Sequence, residues 1–87
     1  MTSNRAQRPA AVPAPIIECI PNFSEGRDAA VVDRIADAMA TVAEVAVLGV
    51  TLDSDHNRSV ITIAGPPQAV MLAAIRGVEQ AARSIDL

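Results

Sequence analysis

The chain has no lysine, tryptophan or tyrosine, and among its 87 residues it has one aromatic (Phe23), one cysteine (Cys19) and one histidine (His56). With a single cysteine no disulfide can close within it, and a reduced thiol suits a cytoplasmic protein. A net charge of −3 with one aromatic supplies neither the positive field nor the stacking platforms of a nucleic-acid binder. No apolar run approaches the ~18 residues that read as a membrane span. What the chain has in quantity is seventeen alanines and ten valines, so its core must be built from small and β-branched side chains. Its length permits one small domain, which buries about 60–65% of the surface its unfolded form exposes and is marginal in stability.

Charge is unevenly spread. Residues 1–15 hold Arg5 and Arg8, no acid, and Pro9, Pro13 and Pro15. The prolines interrupt both the apolar stretch of a signal peptide and an amphipathic targeting helix. This segment reads as a disordered N-terminal extension. Residues 16–87 carry five arginines against ten acids and read as the folded part.

Residues 16–20 are mostly β-branched and stopped by Pro21, so they read as a strand with Ile17 and Cys19 on one face. Residues 21–26 are turn formers and read as a loop. A helix follows from about Asp28 to Val42, with Val32, Ile35, Met39 and Val42 on one stripe and Asp33, Asp37 and Glu44 on the opposite, solvated face. Val45–Leu52 reads as a central strand, 53–58 as a polar turn, and 59–64 as a third strand stopped by Gly65-Pro66-Pro67. Pro67 opens a second helix to about Ile85, with the stripe Met71, Ile75, Val78, Ala82 and Ile85. Leu72 lies among Gln68, Arg76, Glu79 and Arg83 on the polar face and is singled out for a contact outside the chain.

The order strand, helix, strand, strand, helix is five-sixths of the split βαββαβ unit, so the expected class is α+β, ferredoxin-like, an antiparallel or mixed sheet with two helices on one face and the closing strand missing. Such a fold leaves the first strand as an open edge. It also sends the 21–26 loop and the 53–58 turn to the same rim, where any site should lie.

In the first loop Asn22, Ser24 and Gly26 offer an amide, a hydroxyl and backbone N–H groups ahead of a helix N-terminus, a setting for a carboxylate; the plainer reading of the same residues is that Ser24 caps and Gly26 turns. In the turn, Arg58 can hold a carboxylate through two parallel hydrogen bonds with Asn57 beside it, or pair with Asp53 or Asp55. His56 reads as a solvated turn residue. No recognised metal-ligand spacing is present, and Cys19 reads as a packing thiol.

These residues resemble a known family. Glu18-Cys19-Ile20-Pro21-Asn22-Phe23-Ser24-Glu25-Gly26 is similar to the EC(V/I)PNFSEG opening of the formiminotransferase N-terminal subdomain. Asp53-Ser54-Asp55-His56-Asn57-Arg58-Ser59-Val60 resembles its D-x-DHNRS-V segment, and Ile63-Ala64-Gly65-Pro66-Pro67 its F-x-G-x-P. The resemblance covers about residues 16–87. It implies a ferredoxin-like subdomain that pairs with a second one in a transferase moving the formimidoyl group from N-formimidoyl-L-glutamate to tetrahydrofolate, in histidine breakdown and without a metal. It implies substrate- and folate-side roles for Asn22, Ser24, Glu25, Asn57 and Arg58.

The family's catalytic histidine belongs to an H-x-G-x-H-P-R segment beyond the position of Leu87, so no catalytic residue is assigned here, His56 included. Relatives often carry Asp at the position of Gly49. The expectation is therefore the N-terminal part of a glutamate formimidoyltransferase, inactive alone, homo-oligomeric or associated with the remainder of the enzyme. The alternative is a non-enzymatic ferredoxin-like module that binds a folate, an amino acid or a partner.

Overall fold

The computed structural model describes residues 15–85. The elements run β1 (Ile17–Cys19), β2 (Asn22–Phe23), α1 (Ala29–Ala40), β3 (Ala46–Asp53), β4 (Arg58–Gly65) and α2 (Pro67–Ser84). The expected α+β, ferredoxin-like arrangement is what forms: an open antiparallel sheet of four strand segments with two helices. Of the expected extension over 1–15, all but Pro15 lies outside the described residues.

β4 organises the sheet. Ser59, Ile61, Ile63 and Gly65 are buried in strict alternation, the period-2 signature of a strand with one covered face. β3 pairs with β4 on one side, and β1 and β2 pair with it on the other. β4 is thus the central strand, and β3, expected to be central, lies at an edge. The sequence misleads because Val45–Leu52 is almost continuously apolar. A register shift between Val47 and Gly49 is responsible: Val47 faces Ile63 across the ladder, and after the shift Val50 faces Ile61. An inserted bulge residue lets two apolar residues three apart share the inner face.

Pro21 interrupts the first strand without ending it. Ile17 pairs with Gly65, Cys19 with Ile63, Asn22 with Val60 and Phe23 with Ser59, all in one unbroken register. Proline lacks an N–H, yet its carbonyl still accepts from Ile61 N at 3.1 Å. The loop expected over 21–26 therefore begins only after Phe23.

α1 follows its sequence closely. Asp28 is the N-cap, its carboxylate accepting from Ala30 N at 3.0 Å and Val31 N at 3.4 Å. Val31, Val32, Ile35, Ala36 and Met39 are buried, while Asp33, Asp37 and Glu44 are exposed as expected.

α2 does not follow the expected stripe. Its buried residues are Val70, Ala73, Gly77 and Ala81, whereas Met71, Ile75 and Val78 are 60, 50 and 60% exposed. Size decides the face. A Cβ on Gly77 would lie 3.0 Å from Met39 Cε and Cγ, so Met39 occupies the space that the small residues of α2 leave open. From the middle of α2, Arg76 Nη1 donates to Oγ1 of Thr41, the C-cap of α1, at 2.7 Å. Neither helix is long and apolar enough to cross a membrane, among the described residues.

Candidate functional site

The two polar segments meet at one rim, as the topology requires. Gly26 N donates to Asn57 Oδ1 at 2.9 Å, and Arg27 Nε donates to the Ser54 carbonyl at 2.8 Å. The backbones are in closer contact still. A Cβ on Gly26 would lie 2.3 Å from Arg58 O, 2.4 Å from Arg58 N and 2.5 Å from Asp53 O. Only glycine fits there, so Gly26 serves a close approach of two backbones. Asn57 adopts φ +50°, the left-handed conformation that asparagine tolerates in turns.

The five candidate residues divide by what their side chains already hold. Glu25 Oε2 accepts from Arg27 N at 3.1 Å and Asp28 N at 3.0 Å, organising the entry to α1. Asn57 Oδ1 is committed to Gly26, which locks the two segments together. Asn22 Nδ2 donates to the Ile20 carbonyl at 3.2 Å along the free edge. Ser24 is exposed, and helix capping falls to Asp28 instead.

Arg58 is exposed, and no acid pairs with it among the described residues. Asp53 stands directly opposite it in the ladder but is taken by His56: Nδ1 donates to Asp53 Oδ2 at 2.7 Å. His56 N and Asp55 N also donate to Asp53 Oδ1, at 3.2 and 3.0 Å. The His56 side-chain bond, then the His56 backbone bond, hold the Asp53 carboxyl below its ordinary pKa. His56 was missed as the residue that frees Arg58, because spacing alone makes Asp53 available to either.

Strand alternation puts Arg58 and Asn22 on the sheet face opposite the buried Ser59, Ile61 and Ile63, the face without helices. Along the free edge lies an open groove of about 520 Å³, lined by Asn22, Phe23, Ser24, Val78, Ala81, Ala82 and Ile85. It has an apolar floor and a polar lip, a common composition for a small-molecule or peptide cleft. Asn22 and Ser24 border it; Glu25, Asn57 and Arg58 do not. Among the described residues no group of three or more His, Cys, Asp or Glu side chains could hold a metal ion.

The chain is thus an α+β unit with its helices on one sheet face and the exposed Arg58 and Asn22 on the other. The family model for the formiminotransferase domain, N-terminal subdomain, matches residues 16–87, and the chain belongs to that family. It is similar to glutamate formimidoyltransferase of Thermoplasma acidophilum, 49% identical over 72 residues that cover 83% of this chain and 24% of that protein. The corresponding enzyme of Streptococcus pyogenes is 42% identical over 74 residues, covering 85% of this chain and 25% of that protein. Formimidoyltransferase-cyclodeaminase of Rattus norvegicus is 35% identical over 72 residues, covering 83% of this chain and 13% of that protein. The chain thus spans about a quarter of the length of the two formimidoyltransferases and less of the bifunctional relative.

Proposed function

We propose that this chain is the N-terminal part of a folate-dependent glutamate formimidoyltransferase of histidine degradation, and that it acts in the cytoplasm only together with the rest of such an enzyme. In the reaction the N5 amine of tetrahydrofolate bonds to the amidine carbon of N-formimidoyl-L-glutamate. The bond from that carbon to the glutamate nitrogen breaks, a proton leaves N5 and one reaches the departing nitrogen. Both substrates carry carboxylates. The chemistry this chain brings is therefore carboxylate binding, and no group here is assigned the proton transfer.

The observation that carries this reading is the unpaired Arg58 guanidinium on the helix-free face, with Asn22 on the same face. A guanidinium free of an acid partner presents its parallel donors to a carboxylate without first breaking an ion pair. Ser24 adds a hydroxyl nearby at the groove. Glu25 and Asn57 contribute by fixing the rim on which these groups stand.

The test is formimidoyl transfer from N-formimidoyl-L-glutamate to tetrahydrofolate, measured with this chain alone and after mixing it with the remaining three-quarters of a homologous formimidoyltransferase. No transfer alone and transfer on mixing are expected. Sustained turnover by the chain alone would contradict the reading. Saturable folate binding that no complement converts into turnover would favour the non-enzymatic module.

A further inference from the structure

We propose that His56 is a positioning residue for carboxylate binding: by occupying one oxygen of Asp53, it decides whether the Arg58 guanidinium meets an incoming carboxylate or its own cross-strand acid. The inference rests on the carboxylate-binding role of Arg58 and extends it to what sets the strength of that binding. Asp53 and Arg58 close the β3–β4 hairpin, directly opposite each other in the ladder, and both are exposed. Directly opposed residues have Cβ atoms about 4.5–5.5 Å apart, and opposite charges so placed attract. Yet Asp53 pairs with His56 and not with Arg58. The two oxygens of Asp53 have separate partners. Oδ1 accepts from Asp55 N at 3.0 Å and His56 N at 3.2 Å, which ties the carboxylate to the turn. Oδ2 accepts from His56 Nδ1 at 2.7 Å; an ionised carboxylate only accepts, so Nδ1 carries the proton. Oδ2 is therefore the atom for which His56 and Arg58 compete.

The turn itself does not depend on the imidazole. Its backbone is held by the two bonds to Asp53 Oδ1, by Gly26 N donating to Asn57 Oδ1 and by Arg27 Nε donating to the Ser54 carbonyl. The His56 side chain is 73% exposed, and the bond to Asp53 is the one its ring makes among the described residues. Removing the ring thus leaves Asp53 in place, with Oδ2 free and an unpartnered guanidinium across the ladder. Arg58 then turns to Oδ2, because a charge-assisted bond replaces none. An outside carboxylate must now displace Asp53 before it can use the same donors. With His56 present those donors stand open.

The test is a titration of the full chain with glutarate, a plain dicarboxylate, followed at the Arg58 Nε–H signal by nuclear magnetic resonance. His56→Ala should weaken binding by about twofold to fivefold, the range of an exposed ion pair that must first be broken. His56→Asn, which keeps an N–H donor near the position of Nδ1, should bind like the unaltered chain. Adding Asp53→Asn to His56→Ala should restore binding, since a neutral amide still accepts the turn N–H groups and cannot neutralise Arg58. A purely structural role for His56 would give no such restoration. Unchanged affinity in His56→Ala, or equal weakening in the single and double variants, would overturn the proposal. A chain in which glutarate moves no Arg58 signal would instead contradict the carboxylate-binding reading. The exchange is then read without ligand: the Arg58 Nε–H signal should move in His56→Ala and return in the double variant, and a signal that stays in place would overturn it.

Discussion

The two helices reach opposite solutions for their large apolar side chains. α1 buries its large apolar side chains, with Val32, Ile35 and Met39 each at 0% exposure. α2 buries Ala73, Gly77 and Ala81 and leaves Met71, Ile75 and Val78 in solvent. The difference shows that a helix packed against a partner with large side chains must supply the holes. The second face of such a helix is then free to carry large residues for another purpose. Periodicity locates a stripe, and only complementarity of size says which of two stripes goes inside.

The comparison breaks most severely at Met39. Met39→Ala should destabilise the fold by about 2–5 kcal/mol, a large share of the total for so small a domain, as read by urea unfolding. Gly77→Leu should cost about 1–3 kcal/mol by overfilling the same contact from the other side. Combined with Met39→Ala it should cost less than the two single effects added, because one change makes the space the other fills. Asp28→Ala removes the cap of α1 and should cost about 1 kcal/mol. Ile75→Ser, on the outer face of α2, should stay within about 0.5 kcal/mol when unfolding is followed at low concentration. A loss comparable to that of Met39→Ala would reverse the assignment of faces.

A smaller effect separates the rim from the core. The Asp53 carboxyl titrates below its ordinary value because His56 holds it. The stability it contributes is therefore present above the unfolded carboxylate value, about 4, and is lost as pH falls through the lower folded value. Both side chains are more than half exposed, so the loss should be slight and weakened by salt. Urea midpoints below pH 4, compared with those of Asp53→Asn, read it: the variant should show a flatter acid limb.

Much of this was legible in the residues. The alternation of β4, the stripe of α1 and the order of elements specify the sheet, and topology alone brings 21–26 and 53–58 to one rim. What was hidden has physical causes. The shift between Val47 and Gly49 disguises an edge strand as a central one. Pro21 looks like a terminator, yet loses only the one bond that its missing N–H would make. At the rim, Glu25 and Asn57 have the right chemistry for a ligand, but backbone N–H groups nearby claim them first. Arg58 had two acids within reach by spacing, and only the geometry of the turn gives Asp53 to His56.

The central claim is that Arg58 and Asn22 on the helix-free face receive a substrate carboxylate. Its most direct test is a nuclear magnetic resonance titration of the chain with N-formimidoyl-L-glutamate and, separately, tetrahydrofolate, following the arginine Nε–H and asparagine Nδ2–H signals. The account predicts saturable shifts at Arg58 and Asn22 that disappear in Arg58→Gln while the remaining spectrum is preserved. Shifts confined to the outer face of α2, or unchanged by Arg58→Gln, would contradict it.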